Sequence, residues 1–266
     1  AASDVYKRQL IYDGHEYTID FEDLEKKLAL PQTTMMILCN PHNPIGKIWS
    51  QETLKRIGDL CARHHVLVVS DEIHCDIIAP GREYIPFASV SKTNLNNSIT
   101  CIAPTKAFNL AGLQSACIVV ENEVIRQKVN RGINTDEVAE PNSFAITAAM
   151  SAFNYGEKWL DELNIYIQNN KQIACQYIEE NLPMLHVVYS EATYLLWIDC
   201  SKVTDDSVEL VEAIKKKTGL YLSDGYEYGE NGKAFVRMNV ACPQMRLMDG
   251  LKRLREGVID YQQNMK

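Results

Sequence analysis

The sequence has no C-x-x-C pair, no apolar run near the roughly 18 residues that cross a bilayer, no internal repeat and no low-complexity stretch. It is also short of positive charge. Its 27 Lys and Arg against 35 Asp and Glu leave a net charge of −8. Without a basic excess, a nucleic-acid-binding surface is not expected. Without a long apolar run, neither is a helix that spans a membrane. Without metal-ligand spacing, the eight cysteines do not suggest structural zinc. Most stand beside Val, Ile, Leu or Ala and read as buried small hydrophobes in a reducing cytoplasm. No secretory signal is visible at the start, and the chain opens on Ala1 rather than methionine. The opening AASDVYKRQ has no clear pattern and reads as a frayed or foreign end.

What remains is an ordinary globular composition, 46% hydrophobic and 23% charged over 266 residues. That length is enough for a substantial core and two domains. From Leu10 the pattern is regular. FEDLEKKLAL has helical spacing and Asp20 placed as its cap, and Ser50 is placed to cap a second helix over Leu54, Ile57, Leu60 and Cys61. MMILC, VLVV, ITCIA and SACIVV read as buried strands, giving a βαβ arrangement of α/β class. Residues 142–182 read as helix with a break near Asn154–Gly156. The strands TYLLWID and FVRMN and two further helices follow. The expected fold is a mostly parallel sheet with flanking helices over residues 10–155, then a smaller α+β domain over 156–266.

Four polar residues stand out: Asn43 in NPHNPIG, Asp71 in VVSDEIH, Lys106 in APTKAFN and Arg237 in FVRMN. The first three follow short apolar strands. In an open α/β sheet, such positions gather at the carboxyl edge. An amide, a carboxylate and an amine meeting there are what a pyridoxal phosphate (PLP) site requires. The amine condenses with the cofactor, the carboxylate keeps the pyridine nitrogen protonated, and the amide binds the ring oxygen. Thr105 is placed to donate to the phosphate. His74 reads equally as a structural histidine or as a partner of a cofactor oxygen. Lys106 is expected at a strand end in a partly desolvated site, with a lowered pKa. Arg237, inside an apolar strand, reads either as a strand-edge ion pair or as a fork for a substrate carboxylate. A competing reading puts Glu72, His74 and Asp76 on one face of a continued strand as metal ligands. No second cluster supplies further ligands, so no metal is expected.

Together NPHNPIG, SDEIH, TKAFN and FVRMNVACP resemble the fold-type I, class I/II aminotransferase family from about Leu10 to the C-terminus. TKAFNLAGL, YLLWID and GYEYGENG are most similar to its cystathionine β-lyase or C–S lyase branch, the MalY/PatB type. The resemblance implies that Lys106 binds the cofactor and moves the Cα proton. It implies that Asp71 pairs with the pyridine nitrogen, that Asn43 binds the ring hydroxyl and that Arg237 binds the substrate carboxylate. It implies cleavage of cystathionine or a related S-substituted cysteine, and a homodimer. Transamination on the same scaffold, or an aminotransferase-like sensor domain of a transcription regulator, are the alternatives. Two positions depart from the family pattern: Ala103 and Gln114 stand where many members place a serine and an arginine on the phosphate. The resemblance also implies an N-terminal third with a glycine-rich loop and a stacking aromatic, both lacking here. The chain alone is therefore expected to bind PLP weakly and to have little activity.

Overall fold

A computed structural model describes residues 10–264. The chain begins with a short hairpin, β1 (Ile11–Tyr12) and β2 (Tyr17–Thr18). Helix α1 (Phe21–Leu28) follows, with the Asp20 carboxylate accepting from the Glu22 and Asp23 amides as its cap. Next come β3 (Met35–Cys39), α2 (Gln51–Arg63) and β4 (Leu67–Asp71), then α3 (Lys92–Asn96) and β5 (Ser98–Ile102). The short α4 (Pro104–Ala107) leads to β6 (Cys117–Val119) and α5 (Glu123–Thr135). Helices α6 (Ala145–Tyr155) and α7 (Glu157–Asn181) break at Gly156, where the sequence placed the interruption. The chain ends with β7 (His186–Val187), β8 (Leu195–Asp199), α8 (Ser207–Thr218), β9 (Ser223–Asp224), β10 (Phe235–Asn239) and α9 (Gln244–Asn264).

The first sheet has the order β3-β4-β5-β6. Its first two pairings are parallel, and their register puts Cys39 beside Asp71 and Asp71 beside Cys101. The apolar stripes of α1 and α2 close one face, with Leu54, Ile57, Val66 and Val68 fully buried. Two expectations fail here. MMILC was read as a buried strand, yet β3 is an edge strand with Met35 54% and Ile37 70% exposed. SACIVV was also read as buried. Its strand part, β6, is an antiparallel edge strand, and all three of its residues are exposed. Apolar composition cannot tell one covered face from two.

The second sheet, β7-β8-β10-β9, is antiparallel throughout. Helices α7, α8 and α9 pack on it around Ala174, Ile198, Leu210, Leu251 and Leu254. Gly219 closes α8 in the left-handed conformation (φ 75°), the C-terminal cap expected from the sequence. The hairpin joins this sheet through aromatic packing. Trp197 stacks on Phe235 with centroids 5.1 Å apart and donates through Nε1 to the Tyr17 hydroxyl at 2.9 Å. No helix of the described residues is long and apolar enough to cross a membrane.

Candidate active site

The parallel register decides which side chains can meet. Strands β3, β4 and β5 end level with one another, so Cys39, Asp71 and Cys101 form one row at their carboxyl ends. The chain then leaves the sheet in three directions. After β3 it makes the NPHNPIG turn, in which the Asn40–Pro41 and Asn43–Pro44 bonds are both cis. After β4 it turns through Ile73–Asp76, and after β5 it enters α4. Opposite stands β10 of the second sheet. Between them lies a cavity of about 390 Å³ lined by Asn43, Asp71, His74, Lys106 and Arg237 together. Five of the six residues expected at a site therefore face one space. Thr105 is buried one position before Lys106 and does not line it.

Each group has a definite setting. The Asp71 carboxylate accepts from the Ile73 amide at 3.2 Å. The thiols on either side of it are pushed up, Cys39 to about 11, by burial first and by the Asp71 charge second. His74 is 5% exposed and its Nδ1 has no hydrogen-bond partner. Burial first, and then the Lys106 and Arg237 cations, lower its pKa to about 4, so the ring is neutral. The Arg237 guanidinium donates to the Asn43 side-chain oxygen at 3.3 Å and to Ser223 Oγ at 3.1 Å, and lies 5.3 Å from the Tyr228 ring centre. No carboxylate of the described residues is within ion-pair distance of it. Arg237 sits on a strand with neighbours on both sides, so a strand-edge ion pair does not explain it. A half-buried cation held only by neutral acceptors is prepared for an external anion.

Two expectations change. Lys106 is exposed on the one-turn helix α4, not desolvated at a strand end. Glu72, His74 and Asp76 do not share a strand face, since β4 stops at Asp71 and the chain turns. Glu72 is buried instead, and its Oε1 accepts from Ser70 Oγ at 2.8 Å and from the Phe87 amide at 3.0 Å. No group of three or more ligating side chains that could hold a metal occurs among the described residues. The sequence reading also missed cavity walls: Cys39, Tyr194 and Asn239. Tyr194 packs edge-on against His74 with ring centres 5.8 Å apart. Its only signal was its place at the start of the YLLWID run.

The sequence profile described as aminotransferase class I and II matches residues 6–254. The chain is 42% identical over 239 residues to cystathionine beta-lyase PatB of Bacillus subtilis, covering 90% of this chain and 62% of that protein. It is 34% identical to protein MalY of Escherichia coli, covering 87% and 59%. Among solved structures it is similar to cystalysin from Treponema denticola, which contains a pyridoxal 5'-phosphate cofactor. That match has TM-score 0.92 and 31% identity, over 95% of this chain and 64% of the other. The PLP-bound C–S lyase of Staphylococcus hominis gives TM-score 0.86 and 32% identity, over 94% and 63%. The chain thus spans less than two thirds of the length of each of these proteins. Within that span, it belongs to the aminotransferase class I and II family.

Proposed function

We propose that this chain carries most of the site of a PLP-dependent carbon–sulfur β-lyase that acts on cystathionine or a related S-substituted cysteine. The observation that carries this reading is the meeting of an amine, a carboxylate and an unpaired guanidinium around one cavity. The donor set fits the cofactor. His74 offers a buried, unpartnered nitrogen, Asp71 a carboxylate at the sheet edge, and Lys106 an accessible amine. Relatives named for this chemistry, and similar structures that hold PLP, support the same reading.

Asp71 would keep a proton on the pyridine nitrogen. Asn43 and His74 would hold ring oxygens. When bound, the cofactor supplies an electron sink for the pair released at Cα. Arg237 would grip the substrate carboxylate with both arms of its fork and so present the Cα–H bond to Lys106. Lys106 would be the amine that anchors the cofactor and, once displaced by substrate, the general base at Cα. Loss of that proton drives cleavage of the Cβ–S bond. The thiol leaves, and one water completes the conversion of the remaining carbon skeleton to pyruvate and ammonia.

We also propose that residues 10–155 belong to the cofactor-binding domain and residues 156–266 to a smaller domain. The separate core of α7, α8 and α9 on the second sheet supports the division. A homodimer is proposed by family likeness. A cytoplasmic setting is proposed because the cysteines are free thiols. Incubation with cystathionine tests the function: release of thiol and pyruvate supports it. Formation of a new amino acid from an amino acid and a keto acid, without thiol release, would assign transamination instead.

A further inference from the structure

Lys171 lies on α7 outside the cavity, yet it is one of the few charged side chains in the interior, 5% exposed. Its Nζ donates to Ser190 Oγ at 2.7 Å and to the Ala192 carbonyl at 2.9 Å. No carboxylate of the described residues pairs with it. A buried cation held by neutral acceptors costs stability, and a methionine of similar length would fill the same space without that cost. What the amine gains is therefore geometric.

The segment it grips joins three walls of the cavity. The Glu191 and Ala192 amides both donate to the Gly46 carbonyl at 2.9 Å, which ties the segment to the turn carrying Asn43. The Thr193 amide donates to the Ile77 carbonyl at 2.8 Å, and the Ala79 amide to the Glu191 carbonyl at 2.7 Å, which tie it to the chain just past His74. The Val240 amide donates to the Tyr194 carbonyl at 2.9 Å, linking it to the strand of Arg237. Thr193 adopts φ 65°, a left-handed conformation that a threonine holds only under constraint, and the next residue is the cavity-lining Tyr194. The residue before Lys171 acts alike: Asn170 Nδ2 donates to the carbonyls of Val240 at 2.8 Å and Cys242 at 2.9 Å.

We propose that Lys171 is a positioning residue whose buried amine fastens the 190–192 segment to α7 and so sets where Asn43 and Tyr194 stand in the cavity. The role of that cavity rests on the function proposed above; the fastening does not. Burial lowers the Lys171 pKa to about 8, so the amine still carries its three protons near neutrality.

The test is Lys171→Met in the whole chain, read by amide hydrogen exchange and by PLP titration followed by absorbance. Exchange should rise roughly tenfold or more in peptides covering 40–47 and 189–195 and stay unchanged in the α9 core at 247–258. The dissociation constant for PLP should rise about tenfold. Ser190→Ala removes one of the two acceptors and should act on the same peptides, by about threefold; it carries the test if Lys171→Met does not fold. Exchange that is unchanged at those peptides, or raised equally in the α9 core, would overturn the proposal. If PLP binds the unsubstituted protein too weakly to titrate, the exchange result alone decides the role of Lys171.

Discussion

At the residue scale, the site is a set of charges with unequal compensation. Lys106 is exposed and Arg237 has no anion of its own, while His74 is buried and neutral. Lys106→Ala should leave stability within about 0.5 kcal/mol, as for most exposed positions. It should lower β-elimination turnover by more than about a hundredfold, the low end of what a positioned proton acceptor supplies. Urea unfolding and thiol release measure the two. His74 sets a pH dependence. Its folded pKa, about 4, lies below the ordinary 6.5, so the unfolded chain takes up the proton first as pH falls. Its contribution to stability is complete above pH 6.5 and is lost down to pH 4, on the order of 3 kcal/mol. His74→Gln should remove that part of the slope in unfolding curves taken between pH 7 and pH 4. Asn43, Asp71, His74 and Lys106 were legible because they stand in the short polar segments that follow apolar runs, and Arg237 because it interrupts one. Tyr194 and the buried Lys171 were not. A tyrosine beside a strand and a lysine in a helix look like common surface or core residues until the chain's long-range contacts are seen.

At the element scale, the capped helices α1 and α2 were read well, helix α5 was missed and strand burial was misjudged. Capping side chains such as Asp20 and Ser50 act within a few residues, so the sequence contains the whole interaction. Exposure of β3 and β6 depends on what covers the sheet, which no local pattern records. The metal reading of Glu72, His74 and Asp76 failed in the same way. It assumed five more residues of strand, where the chain instead turns and spends Glu72 on Ser70 and Phe87. The NPHNPIG turn shows an element fixed by its neighbour. Gly46 has φ 64°, and a Cβ there would stand 2.6 Å from the Ala192 carbonyl oxygen and overlap Ser190 Oγ. Gly46→Ala should cost about 2 kcal/mol or more, from the unfavourable φ and the collision together. Urea unfolding midpoints check it.

At the scale of the whole molecule, the described surface carries large apolar groups that a monomer rarely leaves bare. Phe144 is 75% exposed, Tyr155 84% and Ile37 70%. The isolated chain should therefore associate as its concentration rises. Sedimentation velocity should show the double substitution Phe144→Ser, Tyr155→Ser shifting it toward monomer; association unchanged by that pair would place the contact elsewhere. The account as a whole depends on the amine of Lys106 being the group that meets the cofactor in the cavity that Arg237 also lines. Borohydride reduction after PLP addition, followed by peptide mapping, tests this directly on the protein as it is encoded. The account predicts the pyridoxyl label on the peptide containing Lys106, and its loss in Lys106→Ala. Stoichiometric label on another lysine, or undiminished label in the variant, would contradict it.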